Sequence, residues 1–227
     1  MKAACYCMTR NIYEQVIPSM KSLLEHSDVD RIYLLTEDDD TGIAFPGCVT
    51  TVNVAGQQYF PRDGPNYNNG WTWMVMMRMA LCHVLPDLDR ILALDLDTIV
   101  REDISELWDT PIQNHYCAGV AESGKSRTGA PYINMGVVLW NLQKMRDGKA
   151  DEVIQKLNEH YYRFPEQDCF NSCHENKIYF LSAEYNANYY TDMTRGFRIR
   201  HYAAEPGWYY DEPIVREYIS KPWPERG

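Results

Sequence analysis

Two carboxylates one residue apart, Asp95 and Asp97, follow an apolar run in the stretch RILALDLDTIV. Side chains two apart on a strand point the same way, so a continuous strand would set two anions side by side at the end of a buried element. Like charges that close repel, and burying either is expensive. Three things could neutralise them: a divalent cation, basic side chains, or solvent. Hard oxygen ligands favour Mg2+ or Mn2+. In open α/β sheets ligands bind beyond the carboxyl ends of the strands. The pair occupies such an end, which predicts a metal-dependent site.

Other residues share this chemical character. Arg78 lies inside WTWMVMMRMALCHVL, a run apolar around most of its circumference, and a cation there needs a ligand or an ion-pair partner. Glu166, Gln167 and Asp168 open a helical segment, and His201 sits in RHYAAEPGW near the end of the chain. The seven cysteines form no C-x-x-C pair. Cys5 and Cys7 share a strand face and read as small core residues. Cys169, Cys173 and His174 read as packing, because no fourth ligand of suitable spacing follows them. The acidic run Glu37–Asp40 reads as a solvated turn.

The elements that must position these groups follow from periodicity. Residues 3–9, 30–37 and 48–54 read as strands, with a helix over 11–26 in which Pro18 threatens a kink. A β-α-β opening with a further strand implies a parallel sheet. Residues 55–70 are a long Gly/Pro/Asn loop, residues 71–85 a buried helix, and RILALDLDTIV a strand followed by a short helix. Strands are expected over 116–122, 132–142, 177–186 and 197–203, and helices over 150–164 and 165–176. The expectation is an α/β fold with one domain over 1–227, of which 204–227 is the least defined part.

Composition excludes several functions. The net charge of −10 argues against binding nucleic acid through phosphates and against a polybasic membrane anchor. No run is long and apolar enough for a membrane span. The amino-terminal MKAACYCMTR lacks a signal-peptide pattern, and the odd cysteine count suits reduced thiols, so a soluble, cytoplasmic location is expected.

Taken together, several segments resemble glycosyltransferase family 8. They are MTRNIYEQVIPSMKSLLEH, MMRMALCHVLPDLDRILALDLDTIVREDISELWD, YINMGVVLWNLQKMR, PEQDCFN, IYFLSAEYN and RHYAAEPGW, in the family's order over most of residues 3–208. The resemblance implies a type-A glycosyltransferase fold: a Rossmann-like, mostly parallel central sheet flanked by helices. It also implies Mn2+ (or Mg2+) dependence, a UDP-sugar donor and retention of anomeric configuration. Asp95, Asp97 and His201 would be the metal ligands, clamping the two phosphates and stabilising the departing diphosphate. Thr9 and Asn11 match base-contacting positions, with Tyr13 as a stacking partner or simply a packed helix residue. Arg78 matches the arginine near ribose, phosphate and sugar, and Leu96 lies between the two aspartates on the nucleotide. Asn134 and Gly136 approach the sugar. Gln167 lies near the anomeric carbon and Glu166 on the donor sugar. Front-side attack and double displacement through a protein carboxylate both remain open.

The chain departs from the family pattern in three places. Glu166 replaces the usual Asp. Ala204 stands where the His-Tyr-x-Gly segment has glycine. The Lys-Pro-Trp that should follow closely is displaced to Lys221–Trp223, so the phosphate-binding role passes to Lys221, or to Arg195, Arg198 and Arg200. The main reading is a metal-dependent transferase moving a hexose to a hydroxyl of a saccharide, lipid-linked or protein acceptor. The alternatives are a non-catalytic nucleotide-sugar-binding protein and self-glycosylation on tyrosine. A phosphohydrolase using the first aspartate as nucleophile is the remaining alternative. That motif normally opens its chain, whereas here a full β-α-β unit precedes it.

Overall fold

The computed structural model describes residues 1–123, 131–194 and 196–225. Among these residues nine strands form two sheets. The large sheet holds β1 (Ala3–Cys7), β2 (Arg31–Thr36), β3 (Val49–Asn53), β4 (Arg90–Leu94), β6 (Cys117–Ala121), β7 (Ile133–Asn141) and β8 (Ile178–Phe180). Their order is β3-β2-β1-β4-β7-β6-β8. Only β7 runs against its neighbours; β1, β2, β3 and β4 pair in parallel, as do β6 and β8. A second sheet pairs β5 (Thr98–Val100) with β9 (Ile199–His201) antiparallel. The mostly parallel α/β architecture expected from the sequence is therefore present.

Both faces of the large sheet are covered, which explains its continuous apolar strands. Ala3, Cys5 and Cys7 of β1 join one core, with Ile91 and Ala93 of β4. Ala4 and Tyr6 join the other, with Leu92 and Leu94. Helices cover these faces: α1 (Val16–Glu25), α2 (Leu81–Val84), α3 (Leu142–Lys144), α4 (Ala150–Glu159) and α5 (Pro165–Cys173). Pro18 causes no kink, because residues Arg10–Gln15 form a 3-10 turn and α1 begins only at Val16. The proline thus falls in the first helical turn, where its missing N–H has no intrahelical acceptor to satisfy.

Three expectations are corrected. The run Trp73–Ala80 is 3-10 rather than α-helical, passing into α2 only at Leu81. The stretch RILALDLDTIV is two strands in different sheets, broken by a turn at Asp95–Asp97. The late strands are short, three residues each, and a 3-10 turn over Ala183–Asn186 replaces the rest of the expected 177–186 strand.

After β9 the chain adds α6 (Trp208–Asp211) and α7 (Pro213–Ser220). Lys21 of α1 donates to the carbonyls of Ile219 (3.1 Å) and Lys221, satisfying groups that the end of α7 leaves open. Trp223 packs edge-on against Phe45. Among the described residues no helix is long and apolar enough to cross a membrane.

One irregularity governs the site. Between Gly119 and Val120 of β6, the partner on β7 jumps from Val138 to Asn134. Residues Met135, Gly136 and Val137 therefore bulge out of the β6 ladder. A bulge leaves ladder groups to be satisfied elsewhere, and here side chains of the candidate site supply several of the partners.

Candidate active site

The site forms at the carboxyl edge of the large sheet, where reversed β7 also brings its amino-terminal end. Asp95 and Asp97 lie in the turn after β4. Because the break between β4 and β5 sends β5 into the second sheet, β9 can pair with it, setting Thr98 opposite His201. His201 Nε2 comes within 3.4 Å of Asp95 Oδ2 and 3.2 Å of Asp97 Oδ1. One ligand atom from each of the three residues lies within 4.8 Å of the others.

The imidazole is held in one tautomer. Asn186 Oδ1 accepts from Asn188 Nδ2 (2.9 Å), while Asn186 Nδ2 donates to Asn134 Oδ1 (2.9 Å). Asn186 Oδ1 is thus an acceptor toward His201 Nδ1 at 2.8 Å, and Nδ1 carries the hydrogen. That leaves Nε2 as the titrating nitrogen, directed at the carboxylates, the arrangement a metal-binding histidine needs. Burial would lower the imidazole, but Asp97 and Asp95 outweigh it and push it up to about 10. A divalent cation would take the place of that proton. Two carboxylates and a correctly directed imidazole therefore fit a divalent ion.

Gly136 makes room for this ring. A Cβ there would lie 2.1 Å from His201 Cε1 and 2.4 Å from Nδ1. Gly136 lies on the bulge, where Asp95 N donates to its carbonyl at 2.8 Å. The bare backbone read as an approach to the sugar is filled by the imidazole.

Arg78 lies beneath the bulge. Its Nη1 donates to Met135 O (2.8 Å), and its Nη2 to Leu94 O (3.4 Å) and to Asp95 Oδ1. Glu166 Oε1 is 4.0 Å away. Burial disfavours the guanidinium charge, but Asp95 and Glu166 outweigh it and hold the group above its ordinary value. Burial likewise opposes ionisation of Asp95, yet Arg78 and His201 hold that carboxyl below its usual range. Glu166 lies in the first turn of α5. Burial pushes it up to about 7; Arg78 draws it down and Asp95 adds to the rise.

Gln167 reaches the same bulge. Its Oε1 accepts from Met135 N (3.0 Å), and its Nε2 donates to Tyr132 Oη (3.1 Å) and Glu122 Oε1 (3.3 Å). Asn134 Oδ1 accepts from Gly136 N (3.0 Å), and Asn134 Nδ2 donates to Glu122 Oε1 (3.0 Å). The two carboxamides and the buried Glu122 form one network.

These groups surround a cleft of about 400 Å3. Of the residues expected from the sequence, Arg78, Asp95, Leu96, Asp97, Asn134, Glu166, Gln167 and His201 line it. Thr9, Asn11 and Tyr13 do not. Thr9 Oγ1 donates to Asn11 Oδ1 (2.8 Å). The buried Tyr13 donates to Asp38 Oδ2 (3.0 Å) and accepts from Glu37 N (3.0 Å). Their neighbours Ile12 and Gln15 line the cleft instead. Lys221 is also elsewhere: its ammonium pairs with Glu25 (3.3 Å) and Glu217 (3.0 Å) on the α1–α7 side. Arg198 pairs with Glu106 and Glu184, and Arg200 with Glu205, so neither supplies the missing charge. Arg195 lies outside the described residues. Among the described residues, Arg78 and His201 are the basic side chains lining the cleft.

Sequence reasoning missed Glu122, Trp71, Phe164 and Tyr190, all of which line the cleft. Glu122 was within reach: it directly follows β6, a strand whose carboxyl end faces the site. Ala204 lines the cleft with φ +59°, a left-handed conformation that glycine adopts more readily than alanine.

The architecture is shared with solved glycosyltransferases. The galactosyltransferase LgtC, solved with donor and acceptor sugar analogues, superposes with TM-score 0.72 at 18% identity, covering 96% of this chain and 95% of that one. GlyE of Streptococcus pneumoniae TIGR4 also gives TM-score 0.72 at 20% identity, over 98% of this chain and 61% of that one. The model of Glycosyl transferase family 8 matches residues 5–223, and the chain belongs to that family. Curated relatives include the lipopolysaccharide 1,2-glucosyltransferase of Escherichia coli K12, 33% identical over 134 residues, 52% of this chain and 40% of that one. General stress protein A of Bacillus subtilis 168 is 30% identical over 129 residues, 50% of this chain and 45% of that one. The matches span less than half the length of these two relatives.

Proposed function

We propose that the chain is a metal-dependent retaining glycosyltransferase that moves a hexose from a UDP-sugar to a hydroxyl acceptor. The observation carrying this reading is the Asp95–Asp97–His201 cluster at the mouth of β4, its imidazole directed by Asn186. A divalent cation bound there, Mn2+ being the expected one, would supply Lewis-acid stabilisation of the departing diphosphate.

The chain's own residues do the rest. Arg78, tied to two backbone carbonyls and to Asp95, fixes that carboxylate and brings a positive charge to the cleft. Asn134 and Gln167 place amide groups against the donor sugar. Glu166, with its carboxyl near neutrality, can donate or accept a hydrogen bond from a sugar hydroxyl at physiological pH. Gln167 is a poor nucleophile, which favours departure and attack on one face.

A panel of UDP-sugars with Mn2+, read by UDP release, tests this. Turnover of a UDP-hexose that collapses in Asp97→Asn, together with weaker Mn2+ binding, supports it. No turnover with any donor and unchanged nucleotide affinity in Asp97→Asn would sink it. A second reading, nucleotide-sugar binding without catalysis, is favoured by the displacement of Lys221 from the cleft. It predicts tight UDP binding with no hydrolysis over long incubation.

A further inference from the structure

We propose that Glu122 is a positioning residue that holds the N–H ends of Gln167 and Asn134 in place, so that Gln167 meets the donor sugar with oxygen and Asn134 meets it with N–H. In its functional part this rests on the transferase reading above.

The two ends of a carboxamide are distinguished by their partners. Gln167 Oε1 lies 3.0 Å from Met135 N, an obligatory donor, so the atom there must be oxygen. Gln167 Nε2 lies 3.3 Å from Glu122 Oε1, which also receives Asn134 Nδ2 at 3.0 Å. Glu122 Oε1 is thus the shared acceptor of two N–H groups. The second hydrogen of Gln167 Nε2 goes to Tyr132 Oη at 3.1 Å. Tyr132 Oη can accept it, because its own hydrogen is donated to Asp168 Oδ1 at 2.6 Å. Both Gln167 amide hydrogens are thereby engaged, and what Gln167 retains for a ligand is the second lone pair of Oε1.

Asn134 is wired the opposite way. Its Oδ1 accepts from Gly136 N (3.0 Å) and Asn186 Nδ2 (2.9 Å), using both lone pairs. Its Nδ2 spends one hydrogen on Glu122, and among the described residues no partner takes the other, which is left for a ligand. Both residues line the cleft, as does Glu122, which is 8% exposed. Met135 N and Gly136 N fix which end of each carboxamide is oxygen, and one carboxylate oxygen of Glu122 holds both N–H ends, giving the cleft an oriented acceptor–donor pair. A dipole oriented before the substrate arrives needs no reorganisation as positive charge develops at the anomeric carbon.

A positioning role needs an oxygen at position 122, not a charge. Glu122→Gln keeps an acceptor oxygen; Glu122→Leu keeps the bulk and removes it. In the 15N–1H spectrum, the side-chain amide signals of Gln167 and Asn134 can be identified by their loss in Gln167→Glu and Asn134→Asp. They should keep their shifts and slow hydrogen exchange in Glu122→Gln, and move and exchange rapidly in Glu122→Leu. With the UDP-sugar that the wild type hydrolyses, Glu122→Leu should lower kcat roughly 100-fold with little change in KM, the scale of a misplaced catalytic group. Glu122→Gln should stay within a few-fold of wild type, and Glu122→Leu should have a clearly smaller effect on kcat in a Gln167→Ala background, where only Asn134 is left for it to position.

Amide signals unmoved by Glu122→Leu would overturn the proposal, whatever the donor panel gives. So would loss of all turnover in Glu122→Gln, which would mark a carboxylate acting directly on the sugar. If no UDP-sugar is hydrolysed while the amide signals respond as stated, the wiring stands and the transferase reading fails.

Discussion

Replacing Gly136 with alanine tests the packing at the centre of the site. Gly136 has no left-handed φ, so alanine is conformationally acceptable there and only space forbids it. The added Cβ would lie 2.1, 2.4 and 2.8 Å from three atoms of the His201 ring, so the imidazole must leave. Overpacking of a tight interior costs about 1–3 kcal/mol. Losing the buried hydrogen bond to Asn186 adds about 1–2 kcal/mol. The expected loss is thus about 2–5 kcal/mol, with Mn2+ binding weakened because Nε2 no longer faces the carboxylates. In a His201→Ala background the ring is gone and Cβ has room, so the same substitution should cost less than about 1 kcal/mol. Urea unfolding of the four proteins, followed by tryptophan fluorescence and far-UV circular dichroism, gives the cycle. Equal costs in the two backgrounds, within about 0.5 kcal/mol, would show that the clash does not govern the position.

Four further outcomes are expected. Glu166 has its carboxyl raised from 4.5 to about 7 by burial, so the folded state holds that proton more tightly than the unfolded chain. Its contribution is therefore fully present below pH 4.5 and lost as pH rises through 7, on the order of 3 kcal/mol. Glu166→Gln should remove that part of the stability–pH curve in urea titrations at pH 5 and pH 8. Arg78→Met strands Asp95 and two carbonyls, and should cost about 3–5 kcal/mol in the same assay. Lys221→Ala should leave UDP affinity unchanged by calorimetry and cost less than about 1 kcal/mol, since its partners are surface carboxylates. Ala204→Gly should raise stability by about 1 kcal/mol, by relieving a left-handed alanine.

The chemistry of the site was legible where residue type and strand end coincide. Asp95 and Asp97 stood out as candidate ligands and Arg78 as a cation needing partners, whereas His201 came only through the family resemblance. The strands around them followed from apolar runs bounded by turns, but their order in the sheet and the reversal of β7 did not. What periodicity could not show was the break at Asp95–Asp97. Residues on both sides are equally apolar, and only pairing with β9, a hundred residues later, separates β4 from β5. The 3-10 path of Trp73–Ala80 was hidden because a run of apolar residues buried over nearly its whole length reads the same by residue type whether its turns are 3-10 or α. Lys221 was misplaced because a short motif names residue types without distances, and its ammonium is taken by Glu25 and Glu217. Glu122 went unnoticed because a single acid after a short strand looks like any other surface carboxylate.

The bulge in β7 has an evolutionary consequence. Its freed backbone groups are satisfied by the Arg78 guanidinium, the Gln167 carboxamide and the Asn134 carboxamide, with Asp95 N bonded to Gly136 O. The residues that would handle the sugar are also those that hold a central strand in place. A descendant that lost all catalytic turnover would still be selected to keep them, because dropping one would expose unpaired backbone in the core. Retention of these side chains in any relative thus reports an intact strand, and activity has to be measured rather than inferred from them. Asp97 is a better marker of lineages that still use a cation, since its side chain has no share in bracing the bulge.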